Sequence, residues 1–346
     1  MPAPAIPRSF QFALFFTGLL WVVAAATAST HAAQGIVTRL NVAFLYDLLH
    51  QLLFAFLLLI GFTAIHWVAT RGGGIRSTNA LPSRVTSAQE FFRGSALGWG
   101  VVLVTLVPLM VTGSLQPSFT LTASAIASTA LSLGSLLVYA LTLELAFRGF
   151  LFARLIAAIG PVTATIVLAL LDAYISTYRP GSTGLSFVIA FVAGLVFALA
   201  YLRTHAIWLG WGLHFAWLAA TAVLFGLPLA SDTSHSTFVL TDVYGSDWFT
   251  GGPYGPQGSV ISFFVLLAAI PMLYRVTRDY AWEYTHPPIV AAAYEVVIAP
   301  PAAHVAMEAA AAPAPLVQIL AATPTAASTL PVIDDHLRSS QAGSEE

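Results

Sequence analysis

"ALTLELAFRGFLFARL", residues 140–155, sets a carboxylate, Glu144, and a guanidinium, Arg148, four residues apart in an almost wholly apolar run. On a helix these two side chains share one face, with the acid on the favourable N-terminal side. What such a pair does depends on what surrounds it. The chain has 346 residues, of which 58% are hydrophobic and 8% charged, and its mean hydropathy is +0.83. Soluble domains are nearer ~45–50% apolar and ~25% charged. The composition is that of an integral membrane protein, with membrane lipid as its surroundings. The net charge is −2 and no basic block appears, so nucleic acid is not an expected partner. Cysteine is absent, which excludes disulfides, thiolate metal sites and cysteine nucleophiles.

A spanning helix needs roughly 20 mostly apolar residues. About eight stretches approach this: 10–29, 43–69, 95–112, 125–147, 162–177, 185–202, 206–225 and 259–274. The fifth and last are short, and Pro271 is expected to kink the last. The first follows Arg8 and ends in small residues, as a secretory leader would, but its apolar run is long and fits an uncleaved anchor better. Arginines cluster at 71–93, at Arg148 and Arg154, at Arg203, and at Arg275 and Arg278, whereas 113–124 has no charge and 227–258 is acidic. By the bias of basic residues toward the cytoplasm, both termini lie inside, with Arg39 and Arg179 as exceptions. The expected location is a bacterial inner membrane, crossed many times.

The organisation then reads as an N-terminal transmembrane hairpin and cytoplasmic loop, 1–92, a membrane core, 93–278, and an Ala/Pro-rich tail, 279–346. The tail's prolines forbid a long helix, so it is expected to be disordered, with room for a short docking helix.

Ionisable side chains inside spans cost about 2.5–3.5 kcal/mol each on insertion scales and mark function by default. They are Asp47, His50, His66, Glu144, Arg148, Asp172 and His214. Each has a plainer reading. Glu144 and Arg148 can neutralise each other at a helix end. Asp172, in "LALLDAYIS", can bond Arg148. His214, in "LGWGLHFAWLAA", can be a hydrogen-bonded core histidine. Asp47, His50 and His66 lie near membrane boundaries. Glu144, Asp172 and His214 number three, as a catalytic zinc site needs, but their spacing does not argue for one, and neither metal nor cofactor is expected.

"LELAFRGFLFARL" resembles the first motif, E-E-x-x-x-R followed by F-R-G, of the CAAX-protease and bacteriocin-processing (CPBP) intramembrane peptidases. "GLHFAW" resembles their third motif, H-x-x-x-N, and "LFGLPLAS" and "FTGGPYGPQGS" follow in the family's order. The resemblance extends over about 93–273. It implies an all-helical, CAAX prenyl endopeptidase-like core with its site in a membrane cavity. There the first Glu of E-E and the His of a second motif, F-x-x-x-H, activate water, while the His and Asn of the third hold the oxyanion. These are general-base and oxyanion roles. Arg148 fixes the register. The first Glu falls on Leu143, the second on Glu144, the second-motif His on Ser176 (with Ile175 fitting nearly as well), the third-motif His on His214 and the Asn on Leu218. The resemblance thus implies Glu144, Arg148 and His214 as the surviving site residues, with Asp172 a substitute. The expectation is a CPBP homologue with weak or no peptidase activity and a peptide- or lipid-binding or regulatory role, its partner a peptide or membrane protein. The rivals are an active endopeptidase using Glu144 or Asp172 as base, and a small transporter with an Asp/Glu relay.

Overall fold

The structure, a computed structural model, describes residues 7–230, 232, 235, 237–278, 290–291 and 294–295. The chain divides into two units, Met1–Pro287 and Pro288–Glu346. In the second, Val290–Ala291 pairs antiparallel with Tyr294–Glu295. The expected disordered tail otherwise lies outside the described residues.

The first unit is a helical bundle. Its elements are α1 (Arg8–Leu40), α2 (Tyr46–Thr70), α3 (Ile75–Thr78), α4 (Ser87–Val111), β1 (Leu115–Phe119), α5 (Ala123–Arg148), α6 (Phe150–Ile159), α7 (Pro161–Ser176), α8 (Gly184–Thr204), α9 (Trp208–Ala219), β2 (Val239–Val243), α10 (Asp247–Thr250) and α11 (Val260–Val276). Among the described residues, five helical segments are long and apolar enough to cross a membrane: Arg8–Leu40, Ala43–Thr70, Ser87–Val111, Ala123–Ile159 and Gly184–Thr204. Three shorter apolar helices, Pro161–Ser176, Trp208–Leu224 and Val260–Val276, complete the set that the sequence marks out. This is a multi-pass membrane protein.

Local chemistry explains the boundaries. Thr122 caps α5 by accepting from the Ala125 N–H, and Ser259 caps α11 by accepting from that of Ser262. Thr183 and Ser186 make a reciprocal capping box at α8. Pro161 opens α7 at the first helical turn, where its missing N–H costs nothing. Asn41, in the left-handed region at φ 56°, closes α1, which runs well beyond the 10–29 stretch read as its span. Gly149, at φ −77° and ψ −115°, separates α5 from α6, a helix that hydropathy alone merges with its predecessor. Helix α11 continues through Pro271.

The loops gather at two ends. Arg84 donates to the Thr204 carbonyl, the Trp208 indole donates to that of Pro82, and Arg203 donates to Thr277, so the arginine-rich connections share one end. At the other end β1 pairs antiparallel with β2, Leu115 opposite Val243 and Phe119 opposite Val239. Within lipid there is little hydrophobic drive between helices, and small residues that allow close approach hold them together. Helices α4 and α9 show this most strongly. A Cβ on Gly94 would lie 2.0 Å from the Leu209 carbonyl oxygen, one on Gly98 2.5 Å from that of Leu213, and one on Gly212 1.9 Å from that of Phe91. The two backbones touch along this seam, and α9 carries His214.

Candidate functional site

Three helices bring the candidate residues together. Glu144 and Arg148 stand on the last turns of α5, Asp172 near the end of α7 and His214 midway along α9. Arg148 Nη2 donates to Asp172 Oδ2 at 3.0 Å, and its Nη1 lies 3.8 Å from Glu144 Oε1. His214 Nδ1 lies 3.1 Å from the same Glu144 oxygen. From α8, Phe197 stacks on the His214 ring at 4.4 Å between centroids and also lies under the Arg148 guanidinium. The plainer reading of Asp172, a bond to Arg148, is therefore realised.

Gly210 explains how Glu144 is accommodated. It sits one turn before His214, and a Cβ there would lie 2.6 Å from Glu144 Oε2. The carboxylate packs against bare backbone and is 1% exposed, whereas the Asp172 side chain is 30% exposed. The cluster thus joins one guanidinium, two carboxyl groups and one imidazole. A neutral His214 that gives its Nδ1 proton to Glu144 presents the Nε2 lone pair, and an imidazolium presents an N–H there.

Beside the cluster lies a cavity of about 420 Å³, lined by residues of α2, α5, α7, α8, α9 and α11 and by the 229–257 segment. Arg148, Asp172 and His214 face it, but Glu144 does not. Leu143, Ser176 and Leu218 all line it, as does Ile175. Its walls include Leu136, Ile189, Ala193, Phe197 and Leu266, and its rim carries Asp47, Gln51, Tyr139, Arg179, Asp232, His235, Tyr254 and Gln257. The rim belongs to the end that holds β1 and β2, away from the arginine-rich connections. The cavity is within the size of ordinary ligand sites, with apolar walls and few polar groups.

Residues 125–220 match the model of a family described as Rce1-like, type II CAAX prenyl endopeptidase Rce1-like. Over this segment the chain is related to the type II CAAX prenyl endopeptidases. The matched segment runs through α5 to α9 and contains Glu144, Arg148, Asp172, His214, Leu143, Ser176 and Leu218. It is narrower than the 93–273 over which the sequence resembles the family. No curated protein and no solved structure matches the chain.

Other sequence candidates lie apart from this cluster. His50 reaches α1, its Nε2 being 3.3 Å from Thr30 Oγ1, and stacks between Tyr46 and Phe54. His66 lies near the arginine-rich end, its ring edge-on to Phe150. Among the described residues, no group of three His, Cys, Asp or Glu side chains could hold a metal ion. Of the rim, the sequence reading named Asp47 among its candidates and not the other residues. Arg179, an exception to the charge rule, donates to the Tyr139 hydroxyl at 2.9 Å. Asp232 holds His235 at 3.2 Å. Burial pushes the Tyr254 phenol above its ordinary range, with the Arg179 charge working against that shift. Tyr254 and Gln257 belong to "FTGGPYGPQGS", which was noted for family order, and that was the available signal.

Proposed function

We propose that this CAAX-protease-family membrane protein uses its cavity to hold an apolar peptide or lipid segment without cleaving it. One observation carries this reading. The positions that the family resemblance assigns to the water-activating Glu, its His partner and the oxyanion-binding Asn all face the cavity, and they are Leu143, Ser176 and Leu218. Leucine has no proton to exchange, and serine is a poor base at neutral pH. Loss of general-base catalysis costs about 100–10,000-fold and loss of one oxyanion donor about 100–1,000-fold. What the cavity keeps is a shaped apolar interior.

The strongest rival is hydrolysis with Asp172 as base, because Asp172 faces the cavity and is partly exposed. One of its oxygens is already engaged by Arg148 Nη2 at 3.0 Å. Glu144 is the weaker candidate, since it stands behind the wall.

The test uses the purified protein in proteoliposomes with prenylated and generic transmembrane peptides. Wild type should release no product above background. Leu143→Glu, Ser176→His and Leu218→Asn together restore the family pattern, and the triple variant should gain slow cleavage that no single change gives. Ile175→His is run in parallel with Ser176→His. Wild-type cleavage that vanishes in Asp172→Asn would overturn the reading in favour of an active enzyme. Proton-coupled flux across the same liposomes would overturn it in favour of a transporter.

A further inference from the structure

The rim of the cavity carries a cation whose role the cluster around Arg148 does not explain. Arg179 is exposed and lines the cavity. Among the described residues it has no carboxylate within salt-bridge distance; its partner is the neutral Tyr139 hydroxyl, at 2.9 Å. That hydroxyl accepts from Arg179 Nη2, which leaves its own proton free to donate. Tyr254, whose phenol feels the Arg179 charge, brings a second hydroxyl to the same rim. A guanidinium bonded to one phenol, with a second phenol on the same rim, is a set of donors for an anion, and charge-assisted bonds of this kind are the strong ones. Two carboxylates share the rim. Asp232 lies beside His235, and Asp47 comes from the start of α2. Below the rim Leu143, Ile189, Phe197, Leu218 and Leu266 form an apolar path, while Arg148, Asp172 and His214 face another part of the same interior.

We infer that the cavity takes a single-chain amphiphile with an anionic head, a phosphate or a carboxylate, held by Arg179, Tyr139 and Tyr254, and with its chain laid along those apolar walls. This rests on the proposal that the cavity holds a ligand, and it names the ligand's chemistry. The site lies at the end remote from the arginine-rich connections, where Arg179 is the arginine that faces the cavity. A head with its charge at the rim and its tail in the interior leaves no charge in the apolar part of the cavity.

The test is native mass spectrometry of the full chain from neutral-detergent micelles holding equimolar pairs of equal chain length. One pair is lysophosphatidylglycerol with lysophosphatidylcholine, and the other is palmitate with monopalmitoylglycerol. The anionic member should be retained roughly tenfold or more over its partner, the worth of one or two charge-assisted bonds. Preference in only one pair supports the inference and assigns the head as phosphate or carboxylate. Arg179→Gln should bring the ratio to near one while still binding both members, and Tyr139→Phe, which keeps the ring packing, should reduce it. Leu218→Trp, which fills the cavity, should abolish retention of all four. Equal retention of neutral and anionic members by wild type, or an unchanged ratio in Arg179→Gln, overturns the anion site and leaves the cavity reading standing. No retention of any amphiphile, or retention indifferent to Leu218→Trp, overturns both.

Discussion

His214 Nδ1 and Glu144 Oε1 stand 3.1 Å apart although 70 residues separate them in sequence, and the contact joins α5 to α9 inside the bundle. A second group, Arg148, shares the same oxygen. Glu144 is thus a common anchor for a cation on its own helix and an imidazole on another.

Removal of that anchor should be costly. Glu144→Ala leaves Arg148 with only the partly exposed Asp172 and deprives His214 of its bond. Breaking a buried ion pair from one side costs about 3–5 kcal/mol in soluble proteins, and water defects soften this in membranes. The thermal midpoint in detergent should fall by several degrees for Glu144→Ala and stay within about one degree for Asp242→Asn on the exposed face of β2. Equal midpoints would show that the pair has no structural weight.

Gly210→Ala tests the same anchor from its other side. The new Cβ would press within 2.6 Å of Glu144 Oε2. The carboxylate must shift, and the expected loss is about 1–3 kcal/mol, as for other overpacked sites. Gly100→Ala, also on a helix but with nothing within 4 Å, should be neutral or stabilising by up to ~1 kcal/mol. A harmless Gly210→Ala would mean that Glu144 is free to move.

Sidedness can be read directly because the chain contains no cysteine. Single cysteines at exposed Ser83, in the arginine-rich connection, and at exposed Ser246, beyond β2, should react with an impermeant maleimide from opposite faces of the membrane. The expected order is protection of position 83 and labelling of position 246 in intact cells. Labelling from one face would contradict an odd number of crossings between them.

His205 closes α8 in the left-handed region at φ 49°, where burial, and next the Arg84 charge, pull its pKa below the ordinary 6.5. The unfolded chain therefore binds a proton near pH 6.5 that the folded chain accepts only at lower pH. Stability from this residue is intact above pH 6.5 and falls on acidification, until the lowered folded value is passed. His205→Asn keeps a residue that tolerates this backbone and should flatten the decline of the thermal midpoint between pH 7 and 5. An unchanged slope would assign the acid sensitivity elsewhere.

The spans were legible because an apolar run of the right length has few other uses. The cluster was partly legible, because a charge inside such a run must find a partner, and Glu144, Arg148, Asp172 and His214 found one another. The rim was not. Tyr139 is an ordinary residue inside α5 and Arg179 and Tyr254 lie between helices, and only the packing of α5, the α7–α8 turn and the 229–257 segment brings them to one rim. The helix α6 was hidden because Gly149 breaks the backbone without changing the hydropathy. His50 was read as a boundary residue, whereas its bond to Thr30 depends on the approach of α1.

The contact of α4 with α9 bears on how the protein can accommodate bulk. With Gly94, Gly98 and Gly212 in direct backbone contact with the facing helix, α9 cannot retreat, so the side of the cavity that bears His214, Trp217 and Leu218 works like the fixed jaw of a vise. A larger occupant must be admitted by the opposite jaw, α7 and the first turns of α8, where Ser176, Ser186 and Ile189 face the interior. Larger side chains should accordingly be tolerated along that movable side and not at the three glycine positions.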